Sequence, residues 1–195
     1  MKLLMHACCA PCSVFCIESL RQEKIEPTIF WYNPNIHPYK EYQARRDCLI
    51  EYTKSINIQC IVKDEYGLDD FCKNVANNID SRCIDYCYPV RLKETFEYAK
   101  NNGYDAVTTT LLYSIYQKHE YIKKLCEDLS KEYDIEFLYR DFRYGFWEGH
   151  DKAIEAGLYM QKYCGCIYSE EDRYLKKKKD NLNLPEGFEW RKKHY

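Results

Sequence analysis

Short apolar runs alternate with longer amphipathic stretches along this chain, and that alternation decides the fold class before any motif is read. Lys2–Ala7 reads as a buried strand and Ser13–Lys24 as the helix that follows it. Thr28–Tyr32 is a second strand, Tyr39–Ile56 a helix, Ile58–Lys63 a third strand and Leu68–Asn77 a helix. A longer helix starts near Pro89 and stops at Asn102-Gly103, where glycine can take the left-handed conformation that ends helices. Ala106–Thr110, Gln117–Tyr133 and Glu136–Tyr139 continue as strand, helix, strand, and the rest reads as helical around glycine turns. Strands separated by helices pair in parallel through right-handed crossovers. The expectation is an α/β protein with a Rossmann-like parallel sheet of about five strands and a helical C-terminal part. Residues 1–175 should form a single domain, and 176–195, with the Lys176–Lys179 run, a basic polar tail.

In such sheets ligands bind at the carboxyl ends of the strands. The unusual residues fall there. Cys8, Cys9 and Cys12 follow the first strand, Asn33 and His37 the second, Thr108, Thr109 and Thr110 end the fourth, and Arg140 and Asp141 follow the fifth. That placement predicts one cysteine-rich metal site at the carboxyl edge of the sheet.

Twelve of the 195 residues are cysteine, so the compartment matters. The apolar run before His6 is too short for a secretory signal, and no stretch approaches the ~18 apolar residues of a membrane span. The expected location is cytoplasmic, with no membrane partner. Thiols stay reduced there, and clustered cysteines point to metal or redox chemistry rather than structural disulfides. A net charge of -2 excludes a global basic field, so any nucleic-acid contact must come from a local patch.

Seven cysteines cluster: Cys8, Cys9 and Cys12; Cys83 and Cys87; Cys164 and Cys166. Pro11 and a helix starting near Ser13 would set the first group at a helix N-terminus, which favours thiolate. None of the spacings is that of a ferredoxin or a zinc finger. A disulfide across Gly165 would be strained and readily reduced, suiting an electron relay; alternatively Cys164 and Cys166 could bind a second metal with Cys12. Cys16, Cys48, Cys60, Cys72 and Cys126 stand alone in helical or strand patterns and read as ordinary buried thiols.

Six blocks in one order carry a family resemblance: HACCAPCS (His6–Ser13), FWYNPNIHPYKEYQAR (Phe30–Arg45), RCIDYCYPVRL (Arg82–Leu92), TTTLLYSIYQKH (Thr108–His119), FLYRDFRYGFWEG (Phe137–Gly149) and YMQKYCGCIYSEEDR (Tyr159–Arg173). The chain resembles the QueH-type epoxyqueuosine reductases over nearly its whole domain. The resemblance implies cobalamin-independent reduction of the epoxide of epoxyqueuosine in tRNA, the last step of queuosine formation. It implies a [4Fe-4S] cluster on Cys8, Cys9, Cys83 and Cys87, with Cys164 and Cys166 as a redox-active pair or, with Cys12, as ligands of a second mononuclear metal, iron or zinc. Three residues separate Cys83 from Cys87, one more than the family pattern.

Removing an epoxide oxygen to leave an alkene takes two electrons, cleavage of two C–O bonds and protons for the departing oxygen. No side chain supplies such electrons, so a redox centre and an external electron donor are required. His6, His37 and Asp141 are the candidate proton donors, with structural hydrogen bonding, or for Asp141 pairing with Arg140 or Arg143, as the alternative. A tRNA anticodon loop bearing epoxyqueuosine would be held by base stacking on tyrosines and by arginines on phosphates. The candidates are Tyr39, with Tyr32, Tyr113 and Tyr116 near other strand ends, and Arg45, Arg140 and Arg143.

Two rival readings remain at this stage. The layout also suits a PP-loop-like (HUP-fold) tRNA thiolation enzyme that carries an iron–sulfur cluster. Such ATP users need a glycine-rich phosphate loop, where this chain has Cys8–Ser13 with a donorless proline. A non-catalytic metal- or RNA-binding module is the other reading, disfavoured by the lack of a regular four-ligand zinc spacing.

Overall fold

A computed structural model describes residues 1–175 and 184–188. Five parallel strands form one sheet: β1 (Leu3–His6), β2 (Pro27–Trp31), β3 (Cys60–Val62), β4 (Ala106–Thr109) and β5 (Glu136–Phe137). Their spatial order is β3-β2-β1-β4-β5. The chain therefore builds outward from β1 in one direction, crosses back, and builds outward in the other.

The helices are α1 (Ala10–Gln22), α2 (Tyr39–Ser55), α3 (Leu68–Val75), α4 (Tyr88–Asn101), α5 (His119–Tyr133), α6 (Phe146–Glu155) and α7 (Ile167–Tyr174). β1 is central and apolar on both faces, with Leu3, Leu4 and Met5 at most 1% exposed. A strand covered on both sides needs such a continuous run rather than an alternating one. Proline stands only at the first position of β2, where its missing N–H costs the ladder least.

Element ends shift by up to three residues from expectation, and two differences bear on the site. α1 begins at Ala10, three residues before Ser13, because Cys9 already takes the extended cap conformation and Pro11 fits the first turn. The segment Cys83–Cys87, which the sequence leaves between two helices, is a π-helical turn running into α4. A π turn accommodates one extra residue without breaking the helix, which accounts for the long Cys83–Cys87 spacing. The Lys176–Lys179 run lies outside the described residues. Among the described residues no helix is long and apolar enough to cross a membrane.

Register sets the site. His6 of β1 lies beside Thr109 of β4 on one side and Phe30 of β2 on the other. The β2–α2 connection runs close to the loop before α3. A Cβ on Gly67 would lie 2.6 Å from Pro34 Cβ and 2.9 Å from its carbonyl oxygen. Neither atom belongs to a flexible side chain, so Gly67→Ala is expected to displace the 33–38 loop and destabilise the fold by about 1–3 kcal/mol. Urea denaturation of the two proteins measures it.

Candidate metal centre

The reversal in strand order lies between β1 and β4, where open α/β sheets hold their ligands. What fills that crevice here is sulfur. The Sγ atoms of Cys8, Cys9 and Cys12 all lie within 4.8 Å of one another, and Cys8 and Cys9 are 3.7 Å apart. Tetrahedral thiolate ligands at about 2.3 Å from a metal stand about 3.8 Å apart, so the group fits a metal, and soft donors select iron or zinc.

The loop is held from the neighbouring strand end. The Cys8 amide donates to Thr110 Oγ1 at 3.2 Å, and the Ser13 hydroxyl donates to the Cys9 carbonyl at 2.8 Å. Cys8 is held well below the ordinary thiol range by hydrogen bonds from Cys12 and Cys9. Burial pushes Cys9 up, and the hydrogen bonds to Cys8 and Cys9 push Cys12 up. The shifts favour charge on Cys8 over Cys9 and Cys12, and a metal bound here would displace the remaining thiol protons.

A second trio joins the π turn to the C-terminal loop. Hydrogen bonding with Cys166 and Cys83, together with burial, raises Cys87 far above the ordinary thiol range. Cys166 is correspondingly pulled down to about 5, by Cys87 first and by Arg82 next. Cys83 falls to about 7 through its bond to Cys87. Arg82 is fixed in turn by Asp172 of α7 at 2.7 Å. Cys164 and Cys166 are both free thiols that face different partners: Cys164 Sγ accepts from Gln117 Nε2 at 3.4 Å, and Cys166 meets Cys87 and Arg82.

Between the two trios lies Arg91, 3% exposed, whose Nε donates to the Cys87 carbonyl at 2.6 Å. Its charge acts on His6 on one side and on Cys83, Cys87 and Cys164 on the other. A buried cation there offsets the negative charge of several thiolates.

Three consecutive carbonyls of the Tyr163–Gly165 segment are tied down. Arg45 donates from Nη2 to Tyr163 O at 2.9 Å and from Nη1 to Cys164 O at 2.8 Å, while the His37 amide donates to Gly165 O at 2.8 Å. The Tyr163 hydroxyl returns a bond to His37 O at 2.7 Å. Arg45 is 1% exposed and pairs with Glu41 at 2.6 Å. Burial works against its charge, and Cys9 and Glu41 outweigh it. Expected on the surface as a phosphate contact, Arg45 is instead an interior clamp on the cysteine loop, its charge consumed by buried partners.

The proton-donor candidates are placed differently from one another. His6 is fully buried, with Nδ1 2.9 Å from Thr109 Oγ1 and Nε2 3.3 Å from Asn33 Oδ1, and burial followed by Arg91 lowers it to about 4. It is neutral at physiological pH and braces two strand ends beside the sulfurs. His37 is caged by Tyr66 and Phe71, and burial lowers it to about 4. Asp141 accepts from Arg143 Nε at 2.8 Å and Nη2 at 2.6 Å. Burial opposes ionisation there, yet Arg143 holds the carboxyl below its usual range. The Arg143 pairing is the alternative weighed for Asp141.

Among the RNA candidates, Tyr39 is 46% exposed, stacked on Tyr42 with its ring at the mouth of the β2–α2 loop. Tyr116 is exposed as well, whereas Tyr32 and Tyr113 are buried. Arg140 pairs with Glu23 at 2.7 Å, and Arg143 with Asp141. Of the five isolated cysteines, Cys16 and Cys126 are buried as expected; Cys48 and Cys60 are half-buried, and Cys72 is exposed on the solvent side of α3. An isolated cysteine in an amphipathic stretch lies on either face, which periodicity over eight residues does not decide.

Sequence reasoning passed over Gln117, Gln161 and Arg91. Gln161 Nε2 lies 2.9 Å from Cys9 Sγ and 3.7 Å from Cys12 Sγ. All three stand within the blocks that carry the family resemblance, and that was the available signal.

A doubly wound parallel sheet whose switch point carries thiols, a buried cation and no glycine-rich phosphate loop defines a Rossmann-like protein with a thiol site that could hold a metal. Comparison with known proteins narrows the class. The profile of the family described as Epoxyqueuosine reductase QueH matches residues 3–172. Proteins of that name are 35% identical in Dehalococcoides mccartyi, over 90% of this chain and 96% of theirs, and 34% identical in Haemophilus influenzae, over 88% and 72%. The one in Thermotoga maritima is 29% identical over 88% of this chain and 91% of its own. This chain belongs to the QueH epoxyqueuosine reductase family.

Proposed function

We propose that this chain is an oxidoreductase that removes the epoxide oxygen of epoxyqueuosine in tRNA, giving queuosine. The observation that carries the reading is the concentration of thiols at the sheet's switch point, where a nucleotide-binding relative would place a phosphate loop, in a chain of this family. The balance of the reaction is simple: the epoxide takes up two electrons and two protons, both C–O bonds break, an alkene forms, and the oxygen leaves as water. The electrons come from an external reductant.

The thiols would hold a [4Fe-4S] cluster through Cys8, Cys9, Cys83 and Cys87, with Cys12, Cys164 and Cys166 left for a second metal, iron or zinc, or for a redox-active thiol pair. Such a centre, when bound, supplies low-potential electrons one at a time. The close approach of the Cys8, Cys9 and Cys12 sulfurs, all within 4.8 Å of one another, supports a ligand role for that group. Arg91 and Arg45 keep several thiolates compatible with a buried setting. His6 stays neutral and orients the ends of β1, β2 and β4, and Arg45 with His37 fixes the backbone that presents Cys164 and Cys166. Asp141, held ionised by the Arg143 fork, positions the turn after β5.

The anticodon loop would approach the mouth between the β2–α2 loop and the segment after β4. Tyr39 and Tyr116 offer exposed rings for unstacked bases. Arg140 can exchange its exposed partner Glu23 for phosphate at small cost, because surface ion pairs are worth about 0–1 kcal/mol. A tRNA-modifying role is consistent with the expected cytoplasmic location.

Anaerobic incubation of the reduced protein with tRNA carrying epoxyqueuosine, followed by digestion to nucleosides, tests the reading. Queuosine should appear without ATP. Turnover that requires ATP, or no loss of epoxyqueuosine with a fully iron-loaded protein, would refute it.

A further inference from the structure

Two glutamine carboxamides reach the sulfurs, and they differ in one respect. Gln117 is satisfied at both ends: Nε2 donates to Cys164 Sγ at 3.4 Å, and Oε1 accepts from the Tyr88 hydroxyl at 2.8 Å. Gln161 donates to Cys9 Sγ at 2.9 Å and approaches Cys12 Sγ at 3.7 Å, but its Oε1 is buried with no partner among the described residues. An orphaned buried carbonyl costs about 1–3 kcal/mol. A packing role alone gains nothing from that arrangement, since leucine would fill the space without an orphan.

The orientation follows from the sulfurs. Cys8, Cys9 and Cys12 form an electron-rich face; turning the carboxamide over would set its oxygen against that face and lose the donor. The N–H end is therefore held toward sulfur at the expense of the oxygen. The contact is also specific in reach. Gln161 precedes the clamped Tyr163–Gly165 segment, so the same buried Arg45 that fixes those carbonyls fixes where the carboxamide starts.

We propose that Gln161 is a positioning residue that sets the reduction potential of the metal centre held by Cys9, by donating a hydrogen bond to the Cys9 sulfur. This rests on the metal-centre reading above. The physical basis is electrostatic: a reduced centre carries one more negative charge than an oxidised one. A donor aimed at a ligand sulfur therefore favours the reduced form and raises the potential, and hydrogen bonds to sulfur are among the main determinants of that potential. The low dielectric of a buried site enlarges the effect.

The test is a redox titration of the full chain, purified anaerobically, followed by visible absorbance and electron paramagnetic resonance. Gln161→Met keeps the length of the side chain without a donor, and Gln161→Leu removes both length and donor. Both variants are expected to retain the iron content of the parent. At the parent's midpoint potential their ratio of reduced to oxidised centre should fall about tenfold, which is about 59 mV for a one-electron couple. A midpoint that stays or rises in an iron-replete variant overturns the proposal. So does loss of iron from both variants, which would make Gln161 part of the scaffold instead. A parent protein with no redox-active chromophore fails differently: it removes the metal-centre reading itself, and the Gln161 proposal with it.

Discussion

Serine at position 9 should leave the fold intact and cost the protein most of its iron, with epoxyqueuosine reduction falling at least about 100-fold. Cys9 caps α1, its sulfur lies 3.7 Å from Cys8, and Gln161 donates to it at 2.9 Å. An alcohol is nearly the size of a thiol but is hard, and at neutral pH it stays protonated, so it makes a poor ligand for iron. Buried and hydrogen-bonded, the hydroxyl costs the fold about 1 kcal/mol. Cys83→Ser should behave in the same way. Cys126→Ala is the contrast: it removes a fully buried sulfur from α5, away from the sulfur groups, and should lower stability without changing iron content. Iron assay and urea denaturation on the same preparations separate ligand loss from unfolding. Full iron in both serine variants would contradict the ligand assignment.

The second large effect is expected at Arg45. Arg45→Met keeps the volume of the stem and deletes a guanidinium that is 1% exposed. The Glu41 carboxylate would be left buried beside Tyr159, and the carbonyls of Tyr163 and Cys164 would lose their donors. Breaking a buried pair on one side costs about 3–5 kcal/mol. Much of that cost belongs to the stranded carboxylate, so the Arg45→Met, Glu41→Leu double variant should recover a good part of the stability. It should not recover iron binding, because the Tyr163–Gly165 carbonyls remain free and the loop carrying Cys164 and Cys166 is loosened. Denaturation midpoints with iron content read both outcomes; full recovery of both in the double variant would reduce the clamp to a simple ion pair.

Arg45 also marks what the sequence could and could not disclose. The sheet and its order of elements were legible because a buried parallel strand must be apolar on both faces. Leu3–Met5 and Ile29–Trp31 advertise this directly. The carboxyl-edge location of the site followed from the same alternation, since Cys8, Cys9 and Thr110 all come immediately after strands. Whether an arginine on a polar helix faces water or the interior is another matter. α2 has a weakly amphipathic sequence, and Arg45 goes inward only because carbonyls contributed from 118 and 119 residues away meet it there. The same holds for Gln161, which finds Cys9 across 152 residues of chain. Contacts of that range leave no periodic trace.

Local backbone detail was lost for a different reason. The Cys83–Cys87 spacing looks like a turn in one dimension, and only the run into α4 makes it a π-helical turn that sets Cys87 against Cys166. Cys72 shows the opposite limit: its isolated place in a short helix suits burial or exposure equally, and it is exposed. The seven clustered thiols are positioned by the end of β1, the first turn of α1, the π turn into α4 and the segment that caps α7, so the exposure of Cys72 leaves the site undisturbed.

What the clustered thiols hold is the decisive property of this protein. Iron and acid-labile sulfide should be quantified in protein prepared without oxygen, with the visible spectrum recorded before and after reduction. About four sulfides and at least about four irons per chain, in a brown protein that bleaches on reduction, is the predicted result. A colourless protein that binds only zinc and releases no sulfide would contradict it.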